Sequence, residues 1–292
     1  MIKYAIPGLY ELADVNMNFL DFMKKNSQFF YDDVEIDVVY GNPQFCIWDG
    51  GRIFDSYRQT TIEEMEKNIA IYNYEFNVAC RYVFTNSILE PKHYTDRFCN
   101  VMVQLLDNGY GNHIVSADDN LTKYLQNQYK TISFVSSTTK CLIKPEESRK
   151  ELKKENYSLM CLDYNLNKNF TFLNSLTMDE RKKIEFLVNA ICSPMCPKRK
   201  DHYYLNSYSH LNYGKPYRMD SCYIVEDIFF PDEKIHGNNM TYQDIKEKYA
   251  PLGFEHFKIE GRTWGELEAI MTYCNYMVKP EYKDYVMKRV LG

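Results

Sequence analysis

Short runs rich in β-branched and aromatic residues recur along this chain, and a helical pattern follows nearly every one. The strand-like runs are 3–6, 34–40, 77–85, 113–116, 131–136, 158–162, 184–188 and 256–259. Between them the spacing predicts helices over 18–30, 61–74, a segment opening at Pro91, 120–128, 146–154, 178–183 and 263–278. In the second helix Ile62, Met65, Ile69 and Tyr72 fall on one helical face. Strand–helix alternation builds a parallel sheet, because a parallel neighbour is reached only by a crossover. Eight units in 292 residues fit an α/β fold of the closed (β/α)8 TIM-barrel type. An open doubly wound sheet is the alternative. No internal repeat or Gly/Ser linker divides the chain. The expectation is therefore one barrel domain over 1–292, distorted by a long irregular insertion before the last strand. A cysteine-containing loop region spans 192–252 of it.

The net charge of −5 argues against a cationic surface for duplex nucleic acid and leaves a local basic patch open. No apolar run approaches the ~18 residues of a membrane span, and the first residues lack a signal-peptide pattern. The expected location is cytoplasmic. Phosphate-loop, H-E-x-x-H and G-x-S-x-G motifs are absent from the sequence. The C-x3-C-x2-C pattern of radical enzymes would need a cysteine where the chain has Arg199.

In a barrel of this type the loops after the strands carry the chemistry. The loop after the seventh strand holds Cys192 and Cys196, with Pro194 and Pro197 favouring turns. Cys222 follows further on, and Cys141 or Cys46 can complete four ligands. Thiolates suit iron–sulfur clusters or zinc, and spacing does not decide between them. Cys80, Cys99 and Cys274 fall on core positions. Arg199 and His202, three apart, would share one side of a helical turn. They would bind an anion or tune a cluster, or else be a surface charge and a loop residue. Glu260 and Arg262 alternate to one side of the last strand. They would bind substrate or form a salt bridge closing the barrel. Gly50-Gly51-Arg52 is either a phosphate-binding turn or a plain one.

The run VNAICSPMCPKRKDHY resembles the cysteine motif of the peptidase U32 (collagenase-like protease) family through Asn189, Cys192, Cys196, Arg199, His202 and Tyr203. FKIEGR, at 257–262, is similar to that family's terminal barrel-strand motif, and Cys222 falls between the two. VVYGNPQFCIWDGGR, FTNSILEPKHYTDRFCN and SSTTKC look like parts of a short, divergent branch. The resemblance spans about 34–278. It implies the barrel fold and a [4Fe–4S] cluster, with Cys192, Cys196, Cys222 and Cys141 as metal ligands, Cys46 standing behind Cys141. It also implies oxygen-independent hydroxylation of an RNA base or a small molecule, with Arg199, His202, Glu260 and Arg262 as catalytic candidates. Two other readings are kept: an accessory or binding protein with a structural zinc, and a peptidase. A partner protein or a homo-oligomer is compatible with each.

Overall fold

The computed structural model describes residues 1–215, 238–262 and 264–292. Its strands are β1 (Ile2–Pro7), β2 (Val34–Tyr40), β3 (Ala79–Phe84), β4 (His113–Ser116), β5 (Ser133–Ser136), β6 (Leu159–Cys161), β7 (Ile184–Leu187) and β8 (His256–Lys258). Each pairs in parallel with the next, and β8 returns to β1. The barrel is closed, so no strand edge is left unpaired. This is the (β/α)8 architecture that the alternation predicts, and the open-sheet alternative is excluded.

Helices α1 (Ala13–Lys25), α2 (Ile62–Ala70), α3 (Arg97–Leu106), α4 (Asp119–Gln128), α5 (Pro145–Leu152), α6 (Phe170–Asn174) and α7 (Met178–Lys182) lie between successive strands up to β7. Before β8 come α8 (Arg199–Leu211) and α9 (Tyr242–Asp244), and after it α10 (Glu266–Met277) and α11 (Lys283–Leu291). In α2 the Thr61 hydroxyl and the Glu64 carboxylate form a reciprocal capping box. Met65, Ile69 and Tyr72 are buried as expected, whereas Ile62 in the first turn is exposed.

Two elements depart from the sequence reading. Helix α1 starts at Ala13 rather than near 18, because its buried face includes Asn16, whose amide donates to the Pro7 and Gly8 carbonyls at 2.8 and 3.1 Å. A polar residue on the core side interrupts the apolar period. The stretch read as irregular contains α8, whose buried face is Arg199, Tyr203, Asn206, Ser207 and His210. That face is mostly polar, so hydrophobic periodicity does not mark it.

The wall obeys the two-residue period. Tyr4, Ile6, Tyr82, Phe84, Phe186 and Phe257 point outward to the helices. Ala5, Val38, Tyr40, Val83, Val115 and Val135 fill the lumen. In β2 the outward set changes parity, because Tyr4 pairs with Ile36 but Ala5 with Val38. Asp37 is the extra residue of a bulge. The lumen also holds a buried ion pair, Arg81 with Glu185 at 2.5 Å.

Candidate active site

Because all eight strands are parallel, every loop that follows a strand opens on one rim. Loops after β2, β5, β6, β7 and β8 enclose a pocket of about 50 Å³ there. Its lining includes Tyr40, Arg52, Cys192, Lys258, Glu260 and Arg262.

Asp49, in the loop after β2, organises one side. It is fully buried and accepts from the Asn42 amide (2.8 Å), the Gly50 and Gly51 backbone N–H groups (2.6 and 2.9 Å), the Thr85 hydroxyl (2.9 Å) and the Tyr57 hydroxyl. Arg262 pairs with it at 3.0 Å. Burial works to raise its pKa. The Arg262 and His210 charges, the Tyr57 hydroxyl and the Gly51 amide outweigh that and hold the carboxylate well below its ordinary range. Here the phosphate-binding reading of Gly50-Gly51 gives way, since both amides are spent on Asp49. A Cβ on Gly50 would come 2.3 Å from the Ser207 hydroxyl oxygen, so α8 packs too closely for any side chain at that position.

Glu260 and Arg262 line the pocket together but do not pair with each other. Glu260 pairs with Arg52 and accepts the Ile191 N–H at 2.9 Å. Asn189 clasps the Glu260 backbone, accepting its N–H at 2.7 Å and donating to its carbonyl at 3.1 Å. The β8 ion pairs thus reach across to the β2 loop.

Arg199 is buried, which overturns the surface-charge reading. Its guanidinium donates to Asp163 at 2.5 Å, to the Thr138 carbonyl and hydroxyl at 3.0 Å each, and to the Tyr203 hydroxyl at 3.1 Å. It also stands 4.2 Å over the Tyr164 ring. One side chain on α8 therefore ties the β5 and β6 loops together. His202 is half-buried near Lys198 and Asp201; burial, then the Lys198 charge, lowers its pKa.

Three of the expected cysteine ligands lie in loops on this rim. Cys141 ends a short turn after β5 in a left-handed conformation (φ 53°), and its thiol lies 3.4 Å from the Thr139 carbonyl. Burial raises its pKa while Arg199 pulls it down. Cys141 and Cys196 share a cavity of about 180 Å³, whereas Cys192 opens into the neighbouring pocket with Lys258. Cys222 lies outside the described residues. Cys46 is in the core, its sulfur 3.9 Å from that of Cys99. Soft thiols suit an iron–sulfur centre by donor chemistry. Among the described residues no three His, Cys, Asp or Glu side chains gather as a metal site.

Besides Asp49, three further ionisable residues escaped the sequence reading. His210 is fully buried, each ring nitrogen 3.0 Å from a backbone carbonyl, that of Cys46 or of Arg52. Lys258 is a buried lysine on the lumen side of β8. Glu11, after β1, has both carboxylate oxygens buried. Burial raises its pKa to about 7 against the opposing pull of its own backbone N–H, the Arg262 charge and the Tyr10 N–H. Alternation in β8 implies an inward side chain at 258; no sequence pattern marks Glu11 or His210.

Glu11 gives a test of this electrostatic arrangement. Its folded pKa lies above its unfolded one. Its stabilising contribution is thus full at low pH and lost as pH rises through about 7. Glu11→Gln mimics the protonated form at every pH. Urea unfolding is expected to show the variant near wild type at acidic pH and more stable than wild type at alkaline pH. Identical pH profiles for the two proteins would contradict the buried carboxylate.

The fold and site define a (β/α)8-barrel protein with ionisable groups gathered at the C-terminal rim. The chain is 24% identical over 275 residues to the uncharacterized protease MJ1657 of Methanocaldococcus jannaschii, covering 90% of this chain and 77% of that protein. The solved structure of the U32 peptidase Mk0906 shares the fold with a TM-score of 0.53 at 14% identity, covering 89% of this chain and 93% of that one. No protein-family model matches the chain. The sequence relative and the shared barrel fold agree with the motif resemblance to the peptidase U32 family. No helix among the described residues is long and apolar enough to cross a membrane.

Proposed function

We propose that this chain is a U32-type iron–sulfur protein that modifies an RNA base or a small molecule by oxygen-independent hydroxylation at the barrel mouth. The support is that Cys141, Cys192 and Cys196 sit in loops on one rim, beside a pocket lined by Arg52, Lys258, Glu260 and Arg262. In this reading those three cysteines and Cys222 hold a [4Fe–4S] cluster, which supplies one-electron redox chemistry when bound. The chain's own residues bind and orient. Glu260 and Arg262, fixed by Arg52 and Asp49, shape the wall that meets substrate. Arg199 holds the β5 and β6 loops beside the cysteines, and His202 follows it on α8.

Anaerobic iron and sulfide quantification tests the reading. Wild type is expected to carry both. Cys141→Ala, Cys192→Ala, Cys196→Ala and Cys222→Ala are expected to lose them, while Cys46→Ala keeps them because its sulfur packs against Cys99. Unchanged iron in Cys192→Ala would overturn the ligand set. Zinc in place of iron would favour the accessory protein with a structural metal. Peptide hydrolysis that survives every cysteine substitution would favour a peptidase.

A further inference from the structure

Lys258 stands apart from the other charged residues of the pocket. It is 7% exposed, and its ammonium nitrogen lies 4.0 Å over the Tyr40 ring. The nearby carboxylates are already committed: Glu185 to Arg81, Glu260 to Arg52 and Asp49 to Arg262. Among the described residues none of them forms an ion pair with Lys258. A buried ammonium without a counter-ion is costly, so burial shifts the balance toward the neutral amine. Burial, with the Arg81 and Arg262 charges adding to it, pushes this lysine down to about 8 against the opposing pull of Glu185. A desolvated lysine of this kind is a nucleophile at physiological pH.

We propose that Lys258 captures a small aldehyde or α-keto acid as an imine on the lumen side of the pocket. The amine lone pair attacks the carbonyl carbon, and the C–N bond forms as the C=O π pair moves to oxygen. The nitrogen gives up one of its protons and that oxygen takes one up, giving a carbinolamine. Loss of the hydroxyl together with the nitrogen's remaining amine proton as water leaves the C=N bond, so amine plus carbonyl gives imine plus water with no change of oxidation state. The space of about 50 Å³ beside Lys258 suits a small carbonyl compound. The Arg262 and Arg52 guanidiniums on the pocket wall would attract the carboxylate of a keto acid. The inference stands without a cluster and is tested without one.

The test treats the full-length protein with glyoxylate or pyruvate and sodium cyanoborohydride at mildly alkaline pH, and maps reduced adducts by peptide mass spectrometry. One adduct on Lys258 is expected, saturating with carbonyl concentration and forming about tenfold faster than on any other lysine. Lys258→Arg should lose it. Mapping the wild-type protein keeps the test valid even if that variant does not fold. Adducts spread evenly over surface lysines would overturn the proposal. So would protection of Lys258 from acetylation by pyruvate with no reducible adduct, which would make the site an anion site only.

Discussion

Replacing Arg81 by methionine is expected to destabilise the protein by about 3–5 kcal/mol, read as a lower urea midpoint at unchanged slope. The Arg81 and Glu185 side chains are 1% and 2% exposed and lie inside the barrel. Removing the guanidinium leaves a carboxylate in the lumen whose second oxygen already has no hydrogen-bond partner among the described residues. Burial, the larger cause of the lowered His113 pKa (about 4), persists in the variant and disfavours its taking over the charge. Removing both partners, as in Arg81→Met with Glu185→Leu, should recover most of the loss, since two apolar side chains leave no uncompensated charge. A single-variant cost below about 1 kcal/mol would mean that solvent screens the pair.

The second large effect is expected at Asp49. Asp49→Asn keeps the shape but removes the charge facing Arg262, and it turns an amide N–H toward groups that are themselves donors. A loss of about 3–5 kcal/mol is expected for stranding a buried arginine. The pH dependence has a definite sign. The folded pKa of Asp49 lies below its unfolded value. Its contribution is therefore full at neutral pH and is lost as pH falls below about 3.9 toward the folded value. The variant should show a shallower acid limb than wild type in pH-resolved unfolding. Parallel acid limbs would remove Asp49 from the electrostatic account.

The barrel was legible because the helix-facing side of most strands is apolar and their spacing leaves room for crossovers. Helical periodicity located α2. The site was legible only where chemistry is tied to loops after strands: Cys141, Cys192, Glu260 and Arg262 all reach the rim. What sequence reasoning lost is polar structure that replaces hydrophobic structure. Helix α8 buries Arg199, Asn206, Ser207 and His210, and these read as solvent-facing until the loops that receive them are known. Asp49 sits in a loop of no regular pattern, and only the fold brings Arg262 to it from 213 residues away. Glu11 and Lys258 owe their character to burial, which one-dimensional patterning does not record.

Closure of the ring between β1 and β8 joins segments separated by most of the chain, as in the pairing of Tyr4 with Phe257. Lys258, Glu260 and Arg262 arrive with that final seam. During synthesis, the earlier seven strands can assemble with their loops while this side of the pocket is still missing. The pocket wall is therefore completed late and all at once, and a nascent or partly opened ring has no partial version of it.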